Sequence, residues 1–295
     1  MRRVTAWMLA IALAATLAPA RGADAAAAPA AADSALGGRA VMERAVRALY
    51  YAGQDMRALI RMEIADRDGT KRYRLMTALR LNLPEGEQRY LLYFHEPGDV
   101  RRLTCMVQKH VGRTDDRWMF VPVANRVRRV TAPERSRFLG SDFVREEFSG
   151  RDAAADSHAV ARMESWKGRR CYVVESTPRE KGTEYARCTS WIDAANFLPL
   201  RQEFRGEQGE LLRVYTADRV TELRGAGGAR YPTALIRTMT DGAGDHWTRL
   251  TYESVNYDIG LRESDFSEAH MQEPLSAWLP EKGAPGSLAP PRPAR

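Results

Sequence analysis

Five histidines, three cysteines and two adjacent acid pairs are the residues whose types could do covalent or metal chemistry here. His95, His110, His158, His246 and His270 never stand at metal-ligand spacing. Asp115-Asp116 and Glu146-Glu147 are adjacent, so on a strand or a helix the two carboxylates of each pair diverge. A solvated turn and a helix face account for them. The chain contains no G-x-S-x-G, H-E-x-x-H, C-x-x-C, Walker A or G-x-G-x-x-G motif, and the glycines at 225–228 lack that last spacing and a strand-to-helix setting. The sequence therefore points away from an enzyme and implies no metal and no cofactor.

The other chemistry within reach is the shielding of an apolar chain from water. Each buried CH₂ is worth about 0.8 kcal/mol, and methionine repacks easily around chains of varied shape. Ile60, Met62, Leu75, Leu79, Leu92, Phe94, Trp118, Phe120, Leu139 and Phe143 are the candidate cavity-lining residues. Ordinary core packing would account for each of them singly, and a slip of one residue in any strand exchanges its two faces. Arg126, Arg128, Arg129, Arg135 and Arg137 are candidates for contact with anionic headgroups or an acidic partner, against the plainer reading of a solvated strand and loop. Cys171 and Cys188 flank an expected hairpin with its turn at 178–182, and a disulfide between them is expected in an oxidising compartment. Cys105, in an apolar strand, reads as a buried free thiol.

These residues need elements to hold them. Val41, Met42, Ala45, Val46, Leu49 and Tyr50 repeat with a helical period. After Gly53 the period becomes two: Met56, Ala58, Ile60, Met62 and Ile64 share an apolar face, and Asp68-Gly69 signals a hairpin. The answering strand sets Tyr73, Leu75, Thr77, Leu79 and Leu81 on one face. Strand-like runs follow at 89–95, 101–111, 117–123, 126–131, 159–166, 171–177, 184–193, 211–220, 233–240 and 246–257. Short strands about ten residues apart, without interleaved helices, predict an antiparallel sheet, and about a dozen strands in one sheet must curl. Ser141-Asp142 reads as the N-cap of a short helix through Phe148, and 264–271 as a second helix. The expected fold is mainly β, a strongly curved antiparallel sheet with a few helices, at least one free to cover its concave face.

The 295 residues carry 45 Lys+Arg against 38 Asp+Glu and are 44% apolar, enough for a sizeable core. Arg2 and Arg3, the apolar run from Ala6 to Ala18 and the triplet Ala18-Pro19-Ala20 have the layout of an export signal, with cleavage expected near Ala20 or as late as Ala23. Loss of residues 1–20 would lower the net charge from +7 to +5, a modest excess that argues against a nucleic-acid partner. Residues 21–38 and 281–295 are rich in Ala, Gly and Pro and read as flexible tails around a single domain at 39–280.

The most specific pattern lies at 94–148. It runs from Phe94-His95-Glu96-Pro97 through Asp115-Asp116-Arg117-Trp118-Met119-Phe120-Val121-Pro122 and Arg126-Val127-Arg128-Arg129, and ends with Phe138-Leu139-Gly140-Ser141-Asp142-Phe143. Here the chain resembles the LolA-like outer-membrane lipoprotein-sorting proteins. The resemblance continues more weakly through Trp166-Lys167-Gly168, Trp191-Ile192-Asp193 and Asp265-Phe266. It implies an incomplete β-barrel whose apolar concavity is covered by helices, in a monomeric periplasmic carrier of lipid or lipoprotein acyl chains that contacts membranes transiently. The lipoprotein chaperone itself is shorter and lacks the W-x-F-x-P and G-S-D-F signatures, so this chain looks like a divergent branch. Two further expectations stand beside that reading. In one, Gly140 to Phe143 form a movable lid with Phe143 as its plug. In the other, the sheet is a docking surface for an inner-membrane exporter of the RND type.

Overall fold

The computed structural model describes residues 36–131, 137–181 and 183–279, and the expected export signal, the C-terminal tail, Arg135 and Gly182 lie outside them. Helix α1 (Gly38–Tyr50) comes first. Strands β1 (Asp55–Ala65), β2 (Lys71–Asn82), β3 (Gln88–Glu96), β4 (Thr104–Lys109), β5 (Asp116–Val121) and β6 (Arg126–Arg129) follow. After the short helix α2 (Glu146–Ser149) come β7 (Asp156–Trp166), β8 (Arg169–Pro178), β9 (Arg187–Asp193) and β10 (Pro199–Arg205). The chain continues through β11 (Leu211–Arg224), β12 (Arg230–Asp241) and β13 (Trp247–Tyr257) to helix α3 (Glu268–Gln272).

All thirteen strands form one antiparallel sheet in the order β6-β5-β4-β3-β2-β1-β13-β12-β11-β10-β9-β8-β7. Two meanders thus meet where β1 pairs with β13, and β6 and β7 are the free edges. The chain between those edges has to travel from one side of the sheet to the other. It does so over the concave face, laying residues 137–149 across it.

The hairpin at Asp68-Gly69 forms as its residues predict, with Gly69 at φ 83° and the Asp66 amide bonded to the Thr70 carbonyl. Strand β10 was not expected, because it opens on a proline and its apolar positions, Leu200 and Phe204, are separated by charged and polar ones. Residues 101–103 turn instead of extending, and Arg102 takes a left-handed φ of 66°.

The two faces of the sheet are both apolar, as the double-sided pattern of 90–94 requires. On the concave side Ile60, Met62 and Ile64 pack with Met76, Ala78, Phe94, Cys105, Met239 and Leu250. On the convex side Leu79, Leu81, Leu91, Met106 and Phe120 pack under Phe266, Met271 and Trp278 of the C-terminal segment. Helix α1 sits at the other end of the sheet, with Val41 and Ala45 against Tyr172, Val174 and Ile192. A Cβ on Gly38 would lie 2.6 Å from the His158 carbonyl carbon, so the helix starts in direct backbone contact with β7.

The expected disulfide is corrected. All three cysteines are free. Cys171 stands opposite Asp193 and Cys188 opposite Ser176, so the two thiols are offset by five residues along the β8–β9 ladder, roughly 17 Å at a strand's rise. An odd offset also puts them on opposite faces, and no Sγ–Sγ bond can span that. The helix start at Ser141-Asp142 is corrected too. Helix α2 begins only after Arg145, because the Asp142 carboxylate is taken by groups of β13. The expected helix at 264–271 is α3, capped by the Ser267 hydroxyl.

Candidate functional site

The concave face encloses a cavity of about 80 Å³. Met119 of β5 and Ala234 of β12 both line it, although six strand spacings, roughly 29 Å in a flat sheet, separate those strands. The sheet must therefore curl around the cavity. Ala48, Leu49 and Tyr50 at the end of α1 and Phe138 and Phe148 of the crossing segment close it from above.

The crossing segment is built as a small hairpin. Arg137 and Val144 form a bridge, and the Phe138 amide donates to the Phe143 carbonyl at 2.8 Å. Leu139 and Gly140 at its tip have φ 49° and 76°, the two left-handed positions of a tight hairpin turn. Phe138, Phe143 and Phe148 form an aromatic group, with Phe138 and Phe148 ring centres 4.5 Å apart. Polar anchors hold the hairpin to the sheet. Arg74 donates to the Leu139 carbonyl at 2.6 Å, and the Asp142 amide donates to Thr248 Oγ1 at 2.9 Å. Asp142 Oδ2 in turn accepts from Thr248, and Oδ1 from Arg137.

Of the residues expected to line a cavity, Ile60, Leu92 and Trp118 do so. Met62, Phe94 and Phe143 lie in the concave core beside it, with Leu139 packed against that core. Leu75, Leu79 and Phe120 are corrected, since they share the faces that turn away from the cavity. Leu79 and Phe120 lie beneath the C-terminal segment, and Leu75 is on the same side of β2 as Leu79. The cause is a choice of face: on β2 both sides are apolar, and the concave set is Met76, Ala78 and Arg80. Trp118 both lines the cavity and packs against the convex cluster. Phe138 and Phe148 stand at the cavity wall together with Tyr50, Tyr90, Trp118, Tyr252 and Tyr257, and Phe143 packs in the core beside them.

The arginines expected to meet anionic headgroups or an acidic partner are dispersed among the described residues. On β6, Arg128 pairs with Met119 and Arg129 with Trp118, so the two point to opposite sides. Arg129 is bonded to Asp116 and Arg137 to Asp142, leaving Arg126 and Arg128 as exposed cations of this edge.

Each histidine has a structural setting. His110 lies between Glu87 and Asp116, and His158 bonds Ser176 and the Ala153 carbonyl. His95 contacts Thr77 Oγ1, and burial pushes its pKa down to about 4. His270 packs edge-on against Trp278. His246 reaches both Asp142 and Asp66. Among the described residues no group of three His, Cys, Asp or Glu side chains could hold a metal ion.

The charged groups at the cavity were not expected there, and the expected solvated helix face is corrected for Glu147, whose side chain is largely buried. Arg80, Arg117, Arg145, Arg237 and Glu147 all line the cavity. Glu147 accepts from the Val144 amide at 2.9 Å and pairs with Arg213 at 3.1 Å, yet burial pushes its pKa up to about 7. Arg80 alternates with Leu79 and Leu81 on β2, so the expectation that the Leu79 face lines the cavity put Arg80 on the wrong side.

Comparison with known proteins places this architecture. A family model described as "Uncharacterized protein" matches residues 86–273. No curated protein matches the chain. Among solved structures, a domain described as an outer membrane lipoprotein-sorting protein from Vibrio parahaemolyticus superposes with a TM-score of 0.70 at 24% identity. The match covers 80% of this chain and 98% of that one. A DUF1329 family protein from Desulfovibrio piger gives 0.69 at 22% identity, covering 80% and 99%. A LolA superfamily protein from Nitrosomonas europaea gives 0.60 at 18%, covering 80% and 100%. The chain belongs to the family whose model spans residues 86–273, and it has the fold of the LolA-like lipoprotein-sorting proteins.

Proposed function

We propose that this protein is a periplasmic carrier that shields the acyl chains of a lipid or lipoprotein in its concave cavity and moves them between membranes. The observation that carries the reading is a cavity walled by Met56, Ile60, Leu92, Met119 and Leu250 inside a curled sheet, closed by α1 and an aromatic hairpin. At about 80 Å³ the cavity is too narrow for a whole lipid, whose binding sites run to several hundred Å³. Loading therefore needs the hairpin of residues 137–144, with Phe138 and Phe148, to move off the sheet. The resemblance of the fold to lipoprotein-sorting proteins supports the same reading, as does the export-like N-terminal sequence.

Docking of an exporter on the sheet finds less support, because the apolar convex face is already covered by Phe266, Met271 and Trp278. Native mass spectrometry of the protein purified from periplasm without detergent, followed by solvent extraction, tests the carrier. A bound lipid or lipopeptide is expected. An apo mass that persists after incubation with lipid would reject the reading.

A further inference from the structure

The cavity is apolar in its walls but cationic in its charged groups. Arg80, Arg117, Arg145 and Arg237 line it against one carboxylate, Glu147, which is already engaged by Arg213. Arg117 is paired with Asp115 at 3.0 Å. Arg80 and Arg237 pair with no carboxylate among the described residues. Arg80 is 3% exposed, and one terminal nitrogen donates to the Ala52 carbonyl. Arg237 donates to the Tyr252 hydroxyl and stacks over that ring, 4.5 Å from its centre. The Nε of each is buried and has no acceptor.

A guanidinium out of water without a counter-charge is strongly disfavoured unless a partner restores what hydration gave it. Two such groups in one cavity, each with an idle donor, describe a site whose anion is supplied from outside. The surrounding groups suit that occupant. The Tyr252 hydroxyl accepts from Arg237 and keeps its own proton to donate. Arg80 stands beside Met56 in register and Arg237 beside Leu250, so an apolar wall adjoins both cations. A planar guanidinium with free donors matches carboxylate and phosphate oxygens in particular.

We propose that the cavity selects an anionic amphiphile, a carboxylate or phosphate head on an alkyl or acyl chain, whose head is held inside by Arg80 and Arg237. This rests on the carrier reading and adds the charge of the cargo to it. An uncharged or cationic head would leave both guanidiniums buried and unmatched.

Isothermal titration calorimetry of the full-length mature protein with four twelve-carbon amphiphiles, all below their micelle thresholds, tests it. Dodecanoate and dodecyl phosphate carry the two anionic heads, dodecyldimethylamine oxide at pH 8 is neutral, and dodecyltrimethylammonium is cationic. The anions are expected to bind about tenfold or more tighter than the others, as charge-assisted hydrogen bonds to two arginines imply. Comparison of the two anions tells a carboxylate cargo from a phosphate one. Arg80→Gln and Arg237→Gln are expected to weaken the anions alone. Equal affinity for all four heads overturns the charge selection and leaves the carrier intact, whereas no binding of any of them overturns both. The head-group series needs only the unmodified protein, so a variant that misfolds does not protect the proposal.

Discussion

The Asp142 carboxylate accepts a hydrogen bond from His246 Nδ1 at 2.7 Å, joining the tip of the crossing hairpin to the start of β13 across 104 residues of sequence. His246 Nε2 meets Asp66 at 3.1 Å on its other side, so one imidazole ties the hairpin to the β1–β2 turn as well. Asp142 is 2% exposed and Thr248 is fully buried, which makes this a buried polar anchor of the hairpin over the cavity.

Replacement of that carboxylate should loosen the cover. Asp142→Ala leaves His246, Thr248 and Arg137 without their acceptor, and a loss of about 3 kcal/mol is expected from breaking a buried charged network. Urea unfolding measures the loss, and hydrogen exchange of the Phe138 and Phe143 amides should rise with it. An unchanged unfolding midpoint would remove Asp142 as the anchor.

Glu147 makes the stability depend on pH. Its carboxyl has a pKa of about 7 in the folded chain against 4.5 without the fold, because burial disfavours the charged form. The folded state then binds the proton more tightly, so stability falls as the pH rises from about 4.5 to about 7 and levels off above that. Glu147→Gln cannot ionise, and it should remove this slope, a difference on the order of 3 kcal/mol or less between pH 4.5 and 8. Chemical denaturation of both proteins across that range is the check, and parallel curves would reject the assignment.

The thiols should behave as three buried, unreactive groups. Burial raises Cys105 and Cys188 to about 12 and Cys171 to about 11, so few thiolates exist at neutral pH. A thiol reagent is expected to titrate little in the native protein and three groups per chain after unfolding. A reductant should leave the melting temperature where it was. Recovery of a single thiol after unfolding would restore a bridge and contradict the β8–β9 register.

Trp278 seals the convex face. Its side chain packs with Leu79, Leu91, Met106 and Phe120, and its carbonyl accepts from Thr77. Trp278→Ala should cost about 3–5 kcal/mol and increase binding of a hydrophobic dye by exposing β2 to β5. Because the cavity lies on the opposite face, affinity for an amphiphile should change little in the folded variant. A large loss of that affinity would show that the two faces are coupled.

Local pattern was enough for much of the architecture. The period-two alternation at 56–64, the Asp68-Gly69 turn and the helical period from Val41 each involve contacts within a few residues, and those elements stand where the sequence predicted them. The motif at 138–143 read as a loop entering a helix, whereas it forms a hairpin in which Asp142 serves as a tether and not as a helix cap. On β2 and β5 the sequence offered two apolar faces, and no local feature says which one faces inward. The wrong face was chosen for Leu75, Leu79 and Phe120 for that reason.

The sequence alone determined the mainly antiparallel β class and the curl forced on so many strands, because turns, periodicity and hairpin pairing are short-range consequences of residue type. Only the tertiary structure decided which face encloses a cavity, since that depends on where residues 137–149 and 261–279 settle against strands far away in sequence. It also decided that Cys171 and Cys188 stand apart, through a ladder register that spacing cannot give. And it brought Arg80 and Arg237, 157 positions apart, into one apolar enclosure, where burial turns two ordinary surface-type residues into cations without a carboxylate partner among the described residues.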